Sequence, residues 1–167
     1  MSKDGYTSLM DELARLHLDT VYYELWMVNR VYRPALDGTE RGRLDENARL
    51  ESLLLHVRNL VEFLEAPGRA RKRHSDDLWS DNFLDSAGQP IHGIRVGLTV
   101  DDRDGLNKYL SHMTVVRVTK RVWAVAEIRQ KVNAAMKEFL DRLNPAVFPS
   151  NQQKTKRDFE ILLGNRC

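Results

Sequence analysis

Val125, Ile128, Val132, Ala135, Met136, Phe139 and Leu143 recur mostly every three or four residues over about 120–143, until Asn144-Pro145 ends the run. A chain keeps apolar residues on one face at that spacing by winding into an α-helix, because a strand alternates faces every second residue. The same period runs through Leu50, Leu53, Leu54, Val57, Leu60, Val61 and Leu64, and through Leu9, Leu13, Leu16, Val21, Leu25, Val28 and Tyr32. The earlier stripe predicts one long helix, or two broken near Asp19-Thr20, stopped by Pro34. Pro34 to Asp45, with Gly38 and Gly42 among charges, reads as a loop. Asp45 then caps a helix to about Glu65 that Pro67-Gly68 closes. Thr99 with Asp102 three residues on reads as a capping box, opening a helix through about Thr114.

Elsewhere the period fails. Between Arg69 and Leu98 short apolar pairs, Leu78-Trp79 and Phe83-Leu84, sit among Asp, Ser and Gly, predicting short turns and loops. Ile91, Ile94 and Val96 suit a brief extended piece, and a lone strand without a partner is marginal, so no sheet is expected. Phe159, Ile161, Leu162 and Leu163 suit one short terminal helix beyond a polar stretch. Together these predict an all-α fold, an up-and-down helical bundle of four to five principal helices. A chain of 167 residues is long enough for one sizeable core. The expected organisation is a single bundle domain over 1–145 and a polar C-terminal tail over 146–167 with a short docking helix.

With 26 basic against 24 acidic residues, no global field draws the chain to nucleic acid or membrane. The single cysteine, Cys167, leaves no internal disulfide and fits a reducing compartment. The polar amino terminus and the absence of a long apolar run predict a cytoplasmic protein without membrane association. The chain lacks a Walker loop, a glycine-rich dinucleotide turn, a Gly-x-Ser-x-Gly elbow and a usable Cys nucleophile, so no cofactor is expected. Its histidines, at 17, 56, 74, 92 and 112, form no i, i+3 or i, i+4 ligand pair, and Glu-x-x-His does not occur. No metal site follows from local spacing; a set of His17, His56 and His112 from three helices would need tertiary convergence.

The polar residues that interrupt core-forming helices are the candidates for function. His56, Asn59 and Phe63 share one flank of their helix, a polar seam that a neighbouring helix would cover. A histidine there either lines a cleft or is satisfied by one backbone or carboxylate partner, and the second is the commoner outcome. Arg58, beside this seam, has Glu62 four residues on, the spacing of a solvated helix ion pair. Farther along, Asn107 lies on one border of the helix opened by Thr99 and His112 on the other, so a direct dyad between them is disfavoured. The run Arg69, Arg71, Lys72, Arg73 and His74 is the one local positive field. It can hold phosphates, yet no aromatic is interleaved with it to stack bases, and Asp76-Asp77 follow it. Trp79 is expected to be buried, anchoring this loop to the bundle.

The run Asn47 to Leu64, then Asp76-Asp77 and Trp79, then Leu106-Asn-Lys-Tyr-Leu-Ser-His-Met-Thr114 and Trp123, resembles a group of small bacterial all-helical proteins, and over about Leu25 to Leu143 the layout more distantly resembles HEPN domains. That resemblance implies a homodimer with metal-independent ribonuclease chemistry, in which an Arg, a following polar residue and a His meet their counterparts across the dimer. Here Asn107 and His112 match the polar residue and the His, and Leu106 stands where the Arg belongs. Arg58 or Arg117 would have to supply the cation. The expected function is therefore a non-catalytic helical module binding a protein or RNA partner, with a HEPN-type ribonuclease as the alternative.

Overall fold

The structure, a computed structural model, describes residues 3–34, 39–65, 78–111, 122–148 and 156–164, with side chains from His17 onward in the first helix and as far as Lys108 in the third. Among the described residues five α-helices follow one another: α1 (Lys3–Arg30), α2 (Glu40–Leu64), α3 (Val100–Ser111), α4 (Val125–Arg142) and α5 (Lys156–Leu162). No strand occurs among the described residues, where pairing is limited to isolated bridges between Leu84 and Pro90 and between Asp85 and Leu143. The fold is an all-α bundle.

Helix α2 packs against α1, α3 and α4. Its stripe Leu53, Leu54, Val57, Leu60, Val61 and Leu64 is buried, as are Val21, Leu25 and Val28 of α1 and Ile128, Val132, Met136 and Phe139 of α4. Burying such a stripe is the main source of helix stability, worth about 25 cal/mol per Å² of apolar surface removed from water. Tyr32 pairs with Glu46 and Glu24 with His56, so α1 and α2 run antiparallel. Phe63, Phe83 and Phe139 close the centre edge-to-face, with centroids 5.1 Å apart for Phe63 and Phe139 and 5.4 Å for Phe83 and Phe139. Phe63 thus belongs to the core rather than to the polar flank expected from its spacing.

Helix α1 is continuous through Asp19-Thr20 and stops ahead of Pro34. Arg129 of α4 closes its end, donating from Nε to the Val28 carbonyl at 2.8 Å and from Nη2 to the Tyr32 carbonyl at 3.0 Å. Those carbonyls lack helical partners, and a cation at that end also opposes the helix dipole. Desolvation by burial lowers the Arg129 pKa. Burial raises the Tyr32 hydroxyl pKa, helped by its hydrogen bond to Glu46. Asn29 and Asn133 exchange amide hydrogen bonds of 3.0 and 2.9 Å where α1 meets α4.

One helix boundary corrects the expectation. Helix α2 begins at Glu40, inside the supposed loop, because Thr39 rather than Asp45 is the cap: its Oγ1 accepts the Gly42 N–H at 3.0 Å. The extra turns carry charges and the exposed Leu44, so no apolar stripe marked them. The capping box at α3 forms as read, with Asp102 N–H donating to Thr99 Oγ1 at 3.0 Å and Thr99 N–H to Asp102 Oδ2 at 3.3 Å. Helix α4 starts at Val125, after a non-helical 122–124. Pro67-Gly68 lies outside the described residues.

Residues 78–98 wrap the end of the bundle without regular structure beyond a 3-10 turn at Ser80–Asn82. Asp85 Oδ1 accepts from the Ala87 and Gln89 N–H groups, each at 2.9 Å, and the turn closes through Gly88 at φ 73°, a conformation side-chain-bearing residues resist. The extended piece that follows buries Ile91, Ile94, Val96 and Leu98. In the C-terminal part Val147, Phe159 and Leu162 are buried in the same core. Helix α5 docks on α1 with Phe159 edge-on to Tyr22 at 5.1 Å.

Candidate functional site: a cleft between the second and third helices

Three-four steps along α2 carry His56 and Asn59 down one flank and Arg58, Glu62 and Glu65 down the other. The first flank is closed by α1. Glu24 Oε2 lies 2.7 Å from His56 Nδ1 and accepts from Asn59 Nδ2 at 3.1 Å, with the Tyr23 ring edge-on to the imidazole at a centroid distance of 5.6 Å. Of the backbone or carboxylate partners expected for a seam histidine, the structure supplies a carboxylate, Glu24, and one oxygen serves both side chains. His56 is buried.

The second flank opens onto a cleft of about 170 Å³ between α2 and α3. Val61, Leu106 and Trp79, all buried, supply its apolar wall. Its inner end is built on Glu65, the residue that caps the C-terminus of α2. Arg103 of α3 grips that carboxylate bidentately, Nη1 to Oε2 at 2.6 Å and Nη2 to Oε1 at 2.8 Å, while the Val96 N–H donates to Oε1 at 2.7 Å. Planar guanidinium–carboxylate pairing fixes geometry as well as energy. Burial pushes the Glu65 pKa up, but the hydrogen bonds from Arg103 and Val96, with the charges of Arg103 and Arg95, outweigh it and hold the carboxyl below its usual range. The bond to Glu65 raises the Arg103 pKa against the opposing effect of burial. Ser80 Oγ completes this end by donating to the Leu64 carbonyl at 3.2 Å.

The mouth is different. Arg58 Nε donates to Glu62 Oε1 at 3.1 Å, and both side chains are partly exposed, at 30% and 40%. Asn107 of α3, exposed, completes this rim.

No family model, curated protein or solved structure matches this chain. The residues themselves carry the functional reading.

The structure divides the sequence candidates. Arg58 parts from His56 and Asn59, which face α1, and joins Asn107, because an offset of two residues from His56 turns a helical side chain to another face. His112, Arg117 and the basic run Arg69, Arg71, Lys72, Arg73 and His74 lie outside the described residues. Of the three-helix histidine set, His17 is exposed and His56 is bonded to Glu24. Among the described residues, no three His, Cys, Asp or Glu side chains are grouped to hold a metal ion. Trp79 is buried, with its backbone N–H donating to Asn82 Oδ1 at 2.8 Å. The sequence did not single out Glu24, Glu65 and Arg103, whose side-chain pairings, Glu24 with His56 and Glu65 with Arg103, span 32 and 38 positions. No local spacing signals such pairs. Chemically, Glu65 is a poor base, since three N–H groups already hold it ionised.

Proposed function

We propose that this chain is a non-catalytic helical interaction module that engages a macromolecular partner and assembles as a homodimer. The observation that carries the reading is the sharing of Glu24 by His56 and Asn59, which ties up the polar seam in a bond between α1 and α2. Tyr23 and Trp26, one turn apart on α1, are 50% and 41% exposed, and these residue types dominate binding energy at interfaces. A formal net charge of +2 gives little bulk attraction to RNA, so a protein partner fits better. No helix among the described residues is long and apolar enough to cross a membrane.

Light scattering on the purified chain should give twice the monomer mass, and Trp26→Ala should shift it towards monomer. RNA incubated with the protein in chelator should stay intact. Cleavage that disappears in a folded His112→Ala variant would overturn this function and establish the second reading, a metal-independent HEPN-type ribonuclease. One observation favours that alternative: Arg58 and Asn107 line the same cleft, which would put a cation beside the polar residue in place of the missing motif arginine.

A further inference from the structure

We propose that two copies of this chain pair antiparallel along α1, with Asp19 of each copy against Arg30 of the other and Tyr23 against Trp26. The inference rests on the homodimer reading and gives that dimer its contact face, its direction and its register.

Helical spacing supplies the first step. Asp19, Tyr23, Trp26 and Arg30 follow one another at steps of four, three and four residues, which puts all of them within about 60° around α1. Asp19 and Arg30 are exposed, and Tyr23 and Trp26 are 50% and 41% exposed. The buried stripe of the same helix, Leu18, Val21, Leu25 and Val28, faces the other way. The His56 ring already holds Tyr23 edge-on at a centroid distance of 5.6 Å, so this side chain has less freedom to lose on docking. Two half-exposed aromatics in the middle, with charge only at the ends, match the composition of an interface centre.

Order along the stripe supplies the second step. It reads acid, aromatic, aromatic, base, and its positions are symmetric: 19 and 30 lie equally far from the midpoint between 24 and 25, as do 23 and 26. A two-fold axis through that midpoint maps the face onto itself, which is the condition for an isologous contact between identical subunits. Each Asp19 then meets the other copy's Arg30, and each Tyr23 the other copy's Trp26. A parallel pairing would set Asp19 against Asp19 and Arg30 against Arg30, which like charges oppose. Sliding the antiparallel pair by one turn leaves neither Asp19–Arg30 contact in reach. Among the described residues, neither Asp19 nor Arg30 has an ion-pair partner within the chain, so both charges are available.

Distance supplies the last step. Asp19 and Arg30 stand about three turns and about 16 Å apart on one continuous helix, beyond the reach of their side chains. Any coupling between these two positions is therefore a contact between copies.

Asp19→Arg and Arg30→Asp, made in the full chain, should be studied singly and mixed. Light scattering over a concentration series measures dimerisation, and native mass spectrometry of a mixture with one variant isotopically labelled separates heterodimer from homodimers. Alone, each variant sets like charges at both ends of the face and should dimerise about tenfold or more weakly than the parent. Mixed, the two restore opposite charges at both ends, so the heterodimer should form with the parent's affinity and lose its advantage in high salt. That recovery also shows that both variants fold. A parent chain that stays monomeric up to millimolar concentration overturns this contact together with the homodimer reading. A parent dimer that persists unchanged in each variant, or variants that show no preference for each other when mixed, overturns this contact alone and assigns the dimer to another face.

Discussion

The two flanks of α2 start from similar residue types, a few polar side chains set beside an apolar stripe, and end in opposite states. On one, α1 runs antiparallel alongside, so Glu24 covers His56 and Asn59 and the seam is closed. On the other, the 12-residue α3 reaches the end of α2 at Glu65 and leaves Arg58 and Glu62 at the rim of a cleft. The difference lies in the neighbours. Polar groups that a helix covers must pair and become structural, whereas those at a rim pair loosely and remain able to exchange partners.

Glu65 is the hinge of the comparison, because it belongs to the open flank and yet is more heavily bonded than anything on the closed one. Glu65→Ala should give the largest effect, a loss of about 3 kcal/mol, since removing one partner of a largely buried pair leaves Arg103 and the Val96 N–H uncompensated. Chemical denaturation of the variant beside the parent chain measures it. Glu24→Ala should cost less, about 2 kcal/mol, for two hydrogen bonds lost from one carboxyl oxygen. If Glu24→Ala proved the costlier change, the closed flank would be the structural anchor and the comparison would have to be reversed.

Acid provides a milder test of the same contrast. The folded Glu65 carboxyl is held below its ordinary range by Arg103 and Val96 in spite of its burial. A depressed carboxylate pKa contributes stability that is fully present above the unfolded-state value of about 4.3 and is lost as pH falls through the lower folded value. The thermal midpoint of the parent chain should therefore drop on acidification below about pH 4.3. In Glu65→Gln this component should be absent, while Glu24→Gln should retain it. Identical acid profiles for the parent and Glu65→Gln would remove the pairing as a source of stability.

How much of this was legible beforehand follows from sequence separation. The stripes of α2 and α4 and the Thr99–Asp102 box repeat or close within four residues, so the chain's own spacing displays them. The start of α2 was hidden because Glu40 to Arg49 contains a single large apolar residue, Leu44, and it faces water. His56 was readable as a seam residue in need of one backbone or carboxylate partner. Its identity was not, since Glu24 lies 32 positions away on a helix whose register against α2 is set by core packing. The same holds for Arg103, 38 positions from Glu65, and so for the cleft as a whole. Asn107 and Arg58 were both singled out as polar interruptions, but only the folded chain makes them neighbours across one cleft.

Glu62→Ala should show the smallest stability effect, within about 0.5 kcal/mol, because its bond to Arg58 is an i, i+4 contact between partly exposed side chains. A double-mutant cycle with Arg58→Ala should return a coupling energy of about 0.3–0.5 kcal/mol, falling further in high salt as the pair is screened. That small value carries the sharper consequence. A pair worth so little to the fold can open without unfolding the end of α2, so this contact marks the rim without anchoring it. A coupling energy several times larger would mean that Arg58 and Glu62 are locked together as firmly as Glu65 and Arg103, and both flanks of α2 would then be structural.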